Sequence, residues 1–435
     1  MNLILSTDSY KVTHWKQYPP KTQHIYSYLE SRGGEFEKTI FFGLQYYLKK
    51  YLKGKVVTQK DIEEASAICK VHFGRELFNR EGWQRIVDVH KGRLPISIRA
   101  VPEGVINSVR TPLMTVENTD PELPWLTNHF ETILSEIWYP ITVATQGYHM
   151  KKSLLSYLNA TGTPEDVLFK LHDFGFRGVS SPETAAIGGA AHLVNFLGTD
   201  TMAALTMLRD YYKCDCAGFS IPASEHATIT SWEKENEVCA FENMLRQFPD
   251  GIIACVSDSF NIYEACEHLW GEKLKSQIMD RDGVLVIRPD SGDPVEVVLE
   301  CLEILGRKFG YKLNSKEFKV LDPHVRLIQG DGIDHAMMRK ILSAMMHNGW
   351  SADNIAFGSG GALLQKLNRD TNEFAFKCSN ITKDNVDYPV FKEPITSKSK
   401  VSKRGKFIGL PEVFRDGVIL KEYTLEEIRT RVNYG

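Results

Sequence analysis

The stretch "GVLVIRPDSGDP", residues 283–294, joins an apolar run rich in β-branched residues to a turn made of Arg, Asp, Ser and Gly. Five further runs between about residues 165 and 360 have the same form, and amphipathic segments of helical length separate them. They are "VLFKLHDFG", "AGFSIPASEH", "GIIACVSDS", "VRLIQGDG" and "NIAFGSGG". Strands that alternate with helices at this spacing predict parallel βαβ units.

The segments between these runs predict five helices, over residues 183–196, 227–247, 262–270, 294–309 and 333–346. Six such units favour a closed α/β barrel, and an open parallel sheet remains the alternative. In both architectures the residues that follow each strand meet at one face, where ligands bind. The sequence therefore predicts a site built from the loops after these strands.

The flanking segments have a different pattern. Residues 46–120 and the tail from residue 378 contain β-like segments broken by Pro and Gly, which indicate an antiparallel sheet. We expect a second, mostly antiparallel α+β domain over residues 1–26, 46–120 and 378–435. The barrel domain would take residues 27–45 and 121–377.

Composition narrows the class of protein. The 435 residues are 25% charged and 43% hydrophobic with a net charge of −3, which fits a globular chain and argues against a nucleic-acid partner. No apolar run approaches the roughly 20 residues of a membrane span, so we expect no membrane partner. The eight cysteines lack a CxxC pair and predict buried free thiols in a reducing cytoplasm. Metal binding by Cys214 and Cys216 is the less favoured alternative, because no second Cys/His pair stands at zinc-site spacing.

The loops after the predicted strands share a polar, ligand-binding character. Two Gly-rich turns, residues 329–332 and 358–361, precede helices, so their backbone N–H groups suit phosphate, although an ordinary βα turn has the same form. Together these loops contain Asp173, Phe174, Arg177, Ser220, Glu225, His226, Asp258, Arg288, Asp290, Asp331 and the Gly358–Gly361 turn.

Several of these side chains are open to more than one interpretation. Arg288 suits phosphate, and Asp290 and Asp293 suit sugar hydroxyls or magnesium, or else these groups only brace their loop. Asp258 is either a ligand-binding carboxylate or a helix N-cap. His226 suits a general base, a phosphate ligand, a nucleophile toward phosphoryl groups or a structural role.

Eight stretches, in order along the chain, resemble the nicotinamide phosphoribosyltransferases, which are type II phosphoribosyltransferases. The resemblance spans nearly the whole chain. It implies an irregular α/β barrel with a second, mostly antiparallel domain, working as a homodimer with shared active sites. The stretches are "TDSYKVTHWKQYPP", "KLHDFGFRGVSS", "HLVNFLGTDT", "IPASEHATIT", "SDSFNIYEACE", "IRPDSGDP", "QGDGID" and "IAFGSGGALLQKLNRD".

The resemblance also implies an activity. The enzyme would transfer the phosphoribosyl group of 5-phosphoribosyl 1-pyrophosphate to nicotinamide, giving nicotinamide mononucleotide and pyrophosphate in NAD salvage. It would use Mg²⁺ and be stimulated by ATP through a phosphohistidine. Nicotinate phosphoribosyltransfer is one alternative, and a non-catalytic binding protein that kept the scaffold is another.

For the pyridine base, the resemblance implies that Phe174 stacks on one face and Tyr10 of the partner subunit on the other. Arg177 would lie against the ring, and Asp200 would accept the carboxamide N–H. A carboxylate at this place favours nicotinamide, because it would repel the carboxylate of nicotinate. Ser220 belongs to the same substrate-binding set.

For the sugar and the phosphates, the resemblance implies that Asp290 holds the ribose hydroxyls, Arg288 the pyrophosphate, and Asp258 the pyrophosphate through Mg²⁺. ATP would phosphorylate His226, with cations nearby. The remaining implied contacts are the cradle of Gly330, Asp331, Gly360 and Gly361, the 5-phosphate ligands Arg32, Arg369 and Lys377, and the ATP-phosphate ligands Lys403 and Arg404. Phe176 departs from the family pattern, which often has Tyr at this position, and the tail is shorter than in animal members.

Overall fold

The computed structural model describes residues 2–434 and divides into two compact units. The antiparallel unit comprises the chain through Thr145, the short segment Asp210–Cys214, and the chain from Leu367 onward. The barrel unit comprises Gln146–Arg209 and Asp215–Lys366.

Seventeen strands lie in the described part of the chain. They are β1 (Thr22–Ser31), β2 (Lys38–Ile40), β3 (Ile96–Ala100), β4 (Ile106–Ser108), β5 (Pro112–Asn118), β6 (Leu171–Asp173), β7 (Gly198–Thr199), β8 (Asp250–Val256), β9 (Asp282–Arg288), β10 (Tyr311–Leu313), β11 (Lys319–Leu321), β12 (Val325–Gln329), β13 (Ile355–Ser359), β14 (Phe374–Lys383), β15 (Val386–Pro389), β16 (Glu412–Arg415) and β17 (Val418–Ile419).

Sixteen α-helices accompany these strands within residues 2–434. They are α1 (Leu44–Tyr47), α2 (Gln59–Phe73), α3 (Arg80–Asp88), α4 (Leu126–His129), α5 (Glu131–Ser135), α6 (Trp138–Thr161), α7 (Pro182–His192), α8 (Met202–Tyr212), α9 (His226–Thr230), α10 (Glu237–Gln247), α11 (Ile262–Glu264), α12 (Lys275–Met279), α13 (Pro294–Phe309), α14 (His335–His347), α15 (Gly361–Leu364) and α16 (Leu425–Tyr434). None of the described helices is both long and apolar enough to cross a membrane.

The antiparallel unit is built on a seven-stranded sheet in the order β15-β14-β1-β5-β3-β16-β17. The interior strand β1 pairs antiparallel with β14 on one side and with β5 on the other. The unit begins and ends elsewhere than the sequence predicts, because the boundary expected after residue 26 falls inside β1. Residues 27–45, 121–145, 210–214 and 367–377, which were predicted for the barrel, belong to this unit instead.

The barrel unit is built on a six-stranded sheet in the order β7-β6-β13-β12-β9-β8, in which every pair is parallel. The segment Phe219–Ala223 joins its two edges, since Phe219 forms a parallel bridge to β7 and Ala223 forms one to β8. The sheet is thereby closed into an irregular barrel. This confirms the predicted closed α/β architecture with a second, antiparallel domain.

Helix α13 coincides with the predicted helix over residues 294–309 because its start is encoded locally. The Asp293 carboxylate accepts hydrogen bonds from the N–H groups of Val295 (2.9 Å) and Glu296 (3.1 Å), and Pro294 occupies the first helical position. The helix predicted over residues 227–247 is instead two helices, α9 and α10. Glu233, between them, has a φ of 66°, which a continuous helix cannot contain.

The cysteines are all free in the described residues, as predicted, but four of them are not buried, since Cys214 and Cys378 are partly exposed. Cys216 and Cys239 are exposed, whereas Cys69, Cys255, Cys266 and Cys301 are buried. No group of three or more His, Cys, Asp or Glu residues in this part of the chain is arranged to hold a metal ion. Nothing in the described structure therefore supports a metal site at Cys214 and Cys216.

Glu103 is a buried carboxyl group of the antiparallel unit. It accepts hydrogen bonds from the N–H groups of Gly43 (3.1 Å) and Gln45 (2.6 Å). Burial raises the pKa of Glu103 from 4.5 to about 7 in spite of these donors. The native state thus keeps a proton that the unfolded chain has already lost between these two pH values.

By linkage, this proton makes the free energy of unfolding fall as pH rises from about 4.5 to about 7, and the loss is complete above the folded pKa. The Glu103 carboxyl group is expected to lower the free energy of unfolding by roughly 3 kcal/mol over that range. Glu103→Gln should lose this part of the pH dependence in urea unfolding, whereas the exposed control Glu393→Gln should keep it. Equal pH slopes for wild type and Glu103→Gln would contradict the assignment.

Candidate active site

A cleft of about 690 Å³ opens in the barrel unit where the parallel strands end. It is lined by loops that follow β6, β7, β9, β12 and β13, so it lies at the face of the barrel where the sequence predicts a site. Nine predicted site residues line it: Phe174, Arg177, Asp200, Arg288, Asp290, Gly330, Asp331, Gly360 and Gly361. The exposed ring of Phe176 also lines this cleft.

The aromatic wall of the cleft is the ring of Phe174, directly after β6. Its backbone N–H donates to the carbonyl of Ser359 at 2.9 Å, which ties it to the end of β13. A Cβ on Gly358 would lie 2.0 Å from Cε2 of Phe174, so this ring position requires glycine in β13. Beneath the loop, the fully buried Asp173 carboxylate accepts the Gly175 N–H at 2.7 Å. The ring is therefore held by its own loop and by the adjacent strand.

A second wall carries the carboxylate of Asp200, which follows β7. Its N–H donates to the carbonyl of Asp173 at 3.0 Å, which places it beside the aromatic loop. Its Oδ1 accepts a short hydrogen bond from the Ser220 hydroxyl and lies 3.1 Å from Nε2 of His172. Burial acts to raise the pKa of Asp200, but the bonds from His172 and Ser220 and the charges of His172 and Arg288 outweigh it, so the pKa is lowered. Asp200 is therefore ionised at neutral pH.

His172 is a site residue that the sequence analysis did not select. It lies in β6, two positions before Phe174, and its imidazole ring is 5.1 Å from the Phe174 ring. Only the contact with Asp200, which is distant in sequence, distinguishes it from an ordinary strand histidine.

Asp290 also belongs to a cluster of two carboxylates and a histidine, whose other members, Asp258 and His226, are not among the residues that line the cleft. Nε2 of His226 is 3.0 Å from Oδ1 of Asp258, and the Ser291 hydroxyl donates to Oδ2 of Asp258 at 2.5 Å. Nδ1 of His226 is 4.0 Å from Oδ2 of Asp290, and Nη2 of Arg288 is 3.8 Å from the same oxygen. These groups come from α9, β8 and β9, so the barrel brings together residues predicted from three separate motifs.

The structure decides between the alternative roles left open for these acids. Asp258 does not cap the following helix, because the Asn261 side chain accepts the N–H groups of Tyr263 and Glu264 in that position. Asp293 is instead the N-cap of α13, so it is not a candidate ligand for sugar or magnesium. The Arg288 side chain braces its loop only in part, since its buried Nε has no hydrogen-bond partner among the described residues.

Asp290 has an electrostatic environment suited to a cationic ligand. Burial raises the pKa of its carboxyl group, and the charges of Asp258 and Asp331 add to the rise. The positive charge of Arg288 and that of His226 oppose this rise without cancelling it. A positive centre that develops beside Asp290 would therefore gain from its negative charge.

The glycine turns bring backbone close to these side chains. A Cβ on Gly330 would lie 3.3 Å from the Phe174 ring and 3.4 Å from Oδ1 of Asp290, whereas a Cβ on Gly361 would meet nothing within 4 Å. A side chain at Gly330 would thus enter the space between the aromatic wall and the acids. The turn at 360–361 leaves its backbone open toward the cleft.

A magnesium ion would find few free protein oxygens here. Both oxygens of Asp258 already accept hydrogen bonds or contact His226, and no three-residue metal cluster exists in residues 2–434. Mg²⁺ is commonly held by one or two carboxylates together with water and substrate phosphates. The donor set therefore fits an ion bound mainly by a phosphate ligand, with Asp258 reaching it through water.

A separate pocket of about 490 Å³ lies in the antiparallel unit and collects the predicted phosphate ligands Arg32, Arg369 and Lys377. Two further cations, Lys392 and Lys400, line the same pocket and were not predicted. Burial lowers the pKa of Lys377, as do the charges of its cationic neighbours, although the nearby carboxylate Glu131 opposes the shift. The buried Nε and Nη2 atoms of Arg32 have no hydrogen-bond partner among the described residues. These features suit an anion.

The other predicted residues of the antiparallel unit have different surroundings. Nζ of Lys403 is 3.8 Å from Glu30, and the Arg404 guanidinium lies 4.3 Å from the centre of the Phe391 ring. Neither residue lines the 490 Å³ pocket that contains Arg32, Arg369 and Lys377, which we call the basic pocket. Tyr10 lies in a 3₁₀ turn with 59% of its surface exposed, so its ring is available to another molecule.

Comparison with known proteins gives consistent matches along the chain. Residues 169–433 match the sequence model of the "Nicotinate phosphoribosyltransferase (NAPRTase) family", and residues 2–98 match "Nicotinamide phosphoribosyltransferase, N-terminal domain". The chain is 48% identical to a nicotinamide phosphoribosyltransferase of Xanthomonas campestris pv. campestris (strain 8004), over 99% of this chain and 98% of that protein. It is 30% identical to a nicotinamide phosphoribosyltransferase of Acinetobacter baylyi, over 99% and 97% of the two chains.

The fold has solved counterparts. The crystal structure of a nicotinate-nucleotide pyrophosphorylase from Pyrococcus furiosus superimposes with a TM-score of 0.60 at 14% identity, covering 100% of this chain and 95% of that one. At this identity the likeness supports the architecture alone.

Proposed function

Because this chain belongs to the nicotinamide phosphoribosyltransferase family, we propose that it forms nicotinamide mononucleotide and pyrophosphate from nicotinamide and 5-phosphoribosyl 1-pyrophosphate, in NAD salvage. One observation carries the choice of base. The ionised Asp200 carboxylate lines the same cleft as the Phe174 ring, Arg288 and Asp290.

Base recognition follows from the two oxygens of Asp200. Oδ1 is engaged by His172 and Ser220, so Oδ2 remains to accept a carboxamide N–H from a ring that stacks on Phe174. Nicotinate would place a second carboxylate against this charge in a partly buried site, which is unfavourable. We further propose that Tyr10 of a second copy covers the other face of the ring, where its attraction grows as the ring becomes a pyridinium.

The transfer step needs positioning and charge stabilisation more than a strong nucleophile. The pyridine nitrogen attacks C1 of the ribose, the bond from C1 to the pyrophosphate oxygen breaks, and positive charge develops on the sugar between these events. Asp290 binds the ribose hydroxyls and faces this charge, while Arg288 pairs with the departing pyrophosphate. Mg²⁺, when bound, neutralises part of the negative charge of the pyrophosphate.

ATP stimulation is proposed to act through His226. Its Nε2 is within hydrogen-bond distance of Asp258, so in the tautomer that donates this bond Nδ1 carries the lone pair. Nδ1 attacks the γ-phosphorus of ATP, ADP leaves with the bridging oxygen, and Asp258 stabilises the positive imidazole ring. Lys403 and Arg404 remain the proposed ligands of the ATP phosphates.

A homodimer would complete the site. We propose that the basic pocket of a second copy, with Arg32, Arg369 and Lys377, binds the 5-phosphate of the sugar. We propose that the enzyme acts in the reducing cytoplasm, which the free cysteines support.

The test supplies the purified chain and Mg²⁺ with the sugar pyrophosphate and either nicotinamide or nicotinate, and follows mononucleotide formation. We expect kcat/KM for nicotinamide to be higher by about 100-fold, as a single buried charge repulsion of a few kcal/mol allows. Asp200→Asn should narrow this preference, and the exposed control Asp215→Asn should keep it. Preference for nicotinate would favour the alternative enzyme, and absence of product from both bases would favour a non-catalytic binding protein.

A further inference from the structure

We propose that His172 sets how strongly the cleft prefers a neutral carboxamide over an anionic carboxylate, and that protonation of its imidazole weakens this preference. The inference rests on the proposed base-binding role of Asp200. It assigns a specificity-determining role to a side chain that the proposed reaction does not otherwise use.

The geometry ties His172 to one oxygen of Asp200. Nε2 of the imidazole is 3.1 Å from Oδ1, the same oxygen that accepts the Ser220 hydroxyl. A Cβ on Gly198 would lie 2.6 Å from Nδ1 of His172, so the ring is seated closely against β7. The imidazole and the Ser220 hydroxyl therefore both engage Oδ1, which leaves Oδ2 of this cleft-lining carboxylate for a ligand.

The ring is also accessible to protons. The His172 side chain is 15% exposed and that of Asp200 is 45% exposed, so water reaches the pair. Histidine is the side chain whose charge changes in the range of ordinary cellular pH. The pair can thus exist in two charge states without unfolding the loop.

These two states present different charges to the base. A neutral His172 donates N–H to Asp200, and the pair carries one negative charge, which repels nicotinate. A protonated His172 keeps the same hydrogen bond, but the pair is then neutral and the repulsion is largely removed. Nicotinamide is uncharged, so its binding changes much less between the two states.

Other charged groups around the pair do not reproduce this effect. Arg288, on β9, acts on Asp200 and stays positive at all relevant pH values. Arg177, on the loop after β6, also stays positive, and the fully buried Asp173 lies beneath that loop. Asp290 and Glu225 are acidic residues that line the same cleft, so a variant must separate their contribution from that of His172.

The test compares wild type, His172→Gln and His172→Lys at about pH 8, 7 and 6, a range in which nicotinate remains ionised and histidine titrates. The readout is the ratio of kcat/KM for nicotinamide to kcat/KM for nicotinate. In wild type we expect this ratio to fall roughly tenfold from pH 8 to pH 6. His172→Gln keeps an N–H donor near the Nε2 position without a titrating charge, so its ratio should stay high and nearly constant. His172→Lys should give a low ratio throughout, because its charge is permanent.

A binding measurement gives an independent readout. Calorimetry of nicotinate binding at pH 7, in buffers with different ionisation heats, should show net proton uptake by wild type and none by His172→Gln. Circular dichroism and thermal melting identify a variant that fails to fold, and the wild-type pH profile tests the proposal without any variant.

The outcomes separate the two claims. A wild-type enzyme that uses nicotinamide with a constant ratio across this range would overturn the role of His172 and leave the proposed function intact. A pH dependence retained in His172→Gln would overturn it as well. Failure to use nicotinamide at any pH would count against the proposed function itself.

Discussion

Asp290→Asn is expected to lower kcat for mononucleotide formation by about 100- to 1,000-fold, the usual cost of removing one preorganised charge from a transition state. Asp290 lies with Arg288 and His226 in the acid cluster, and its pKa is raised because burial and neighbouring carboxylates make its negative charge costly. Positive charge on the ribosyl centre relieves that cost only as the transition state forms. The loss should therefore appear in kcat more than in KM for nicotinamide.

Asp282→Asn is a matched control for this experiment. Asp282 begins the same strand, β9, and is exposed at the opposite end from the cleft. The two variants make the same chemical change at opposite ends of β9. A difference in kcat between them therefore shows that the position of the carboxylate matters. An Asp290→Asn enzyme with wild-type kcat would contradict the role assigned to this carboxylate.

His226→Ala is expected to abolish stimulation by ATP while slow, ATP-independent synthesis continues. The imidazole lies 3.0 Å from Asp258, whereas the imidazole of His172 contacts Asp200 through its Nε2. Transfer of label from γ-phosphate-labelled ATP to the protein should be lost in the same variant. The rate ratio with and without ATP should fall to about one, because the proposed phosphohistidine no longer forms.

His268→Ala serves as the control, since His268 is half-exposed in the barrel unit and contacts only Glu264 and Glu272 among the ion pairs of the described residues. It should keep both labelling and stimulation. ATP stimulation that survives in His226→Ala would show that the nucleotide acts elsewhere.

Much of the barrel could be predicted because its determinants are local. Five of the six apolar runs that end in polar turns form parallel strands in the expected places, whereas "AGFSIPASEH" forms only isolated bridges at Phe219 and Ala223. The start of α13 at Pro294 follows from its cap and its proline. The convergence of Asp200, Asp258, Asp290 and Phe174 on one face is a consequence of parallel topology, which places every strand end on the same side. For this reason the cleft could be anticipated before any distance was known.

The features that escaped prediction depend on contacts between distant residues. Strand β7 has only two residues, too few for a periodic pattern, yet Asp200 follows it directly. His172 gains its importance from an aspartate 28 residues away in sequence. Lys392 and Lys400 become part of the basic pocket only through the fold of the tail. Gly358 is needed because the ring of Phe174 occupies the space that a side chain at position 358 would take.

The domain limits also depend on contacts between residues that are distant in sequence. The first segment of the antiparallel domain was predicted to end at residue 26, but β1 continues through this position to Ser31 because β14 and β5 pair with it on both sides. Pairing of strands more than 80 residues apart along the chain cannot be deduced from a local pattern.

The most direct test of the account is a crystal structure of the protein with nicotinamide mononucleotide bound. We predict the pyridinium ring in van der Waals contact with Phe174, its carboxamide nitrogen within hydrogen-bond distance of Asp200, and its ribose hydroxyls on Asp290. A pyridine ring bound outside this cleft, away from both Phe174 and Asp200, would contradict the central claim.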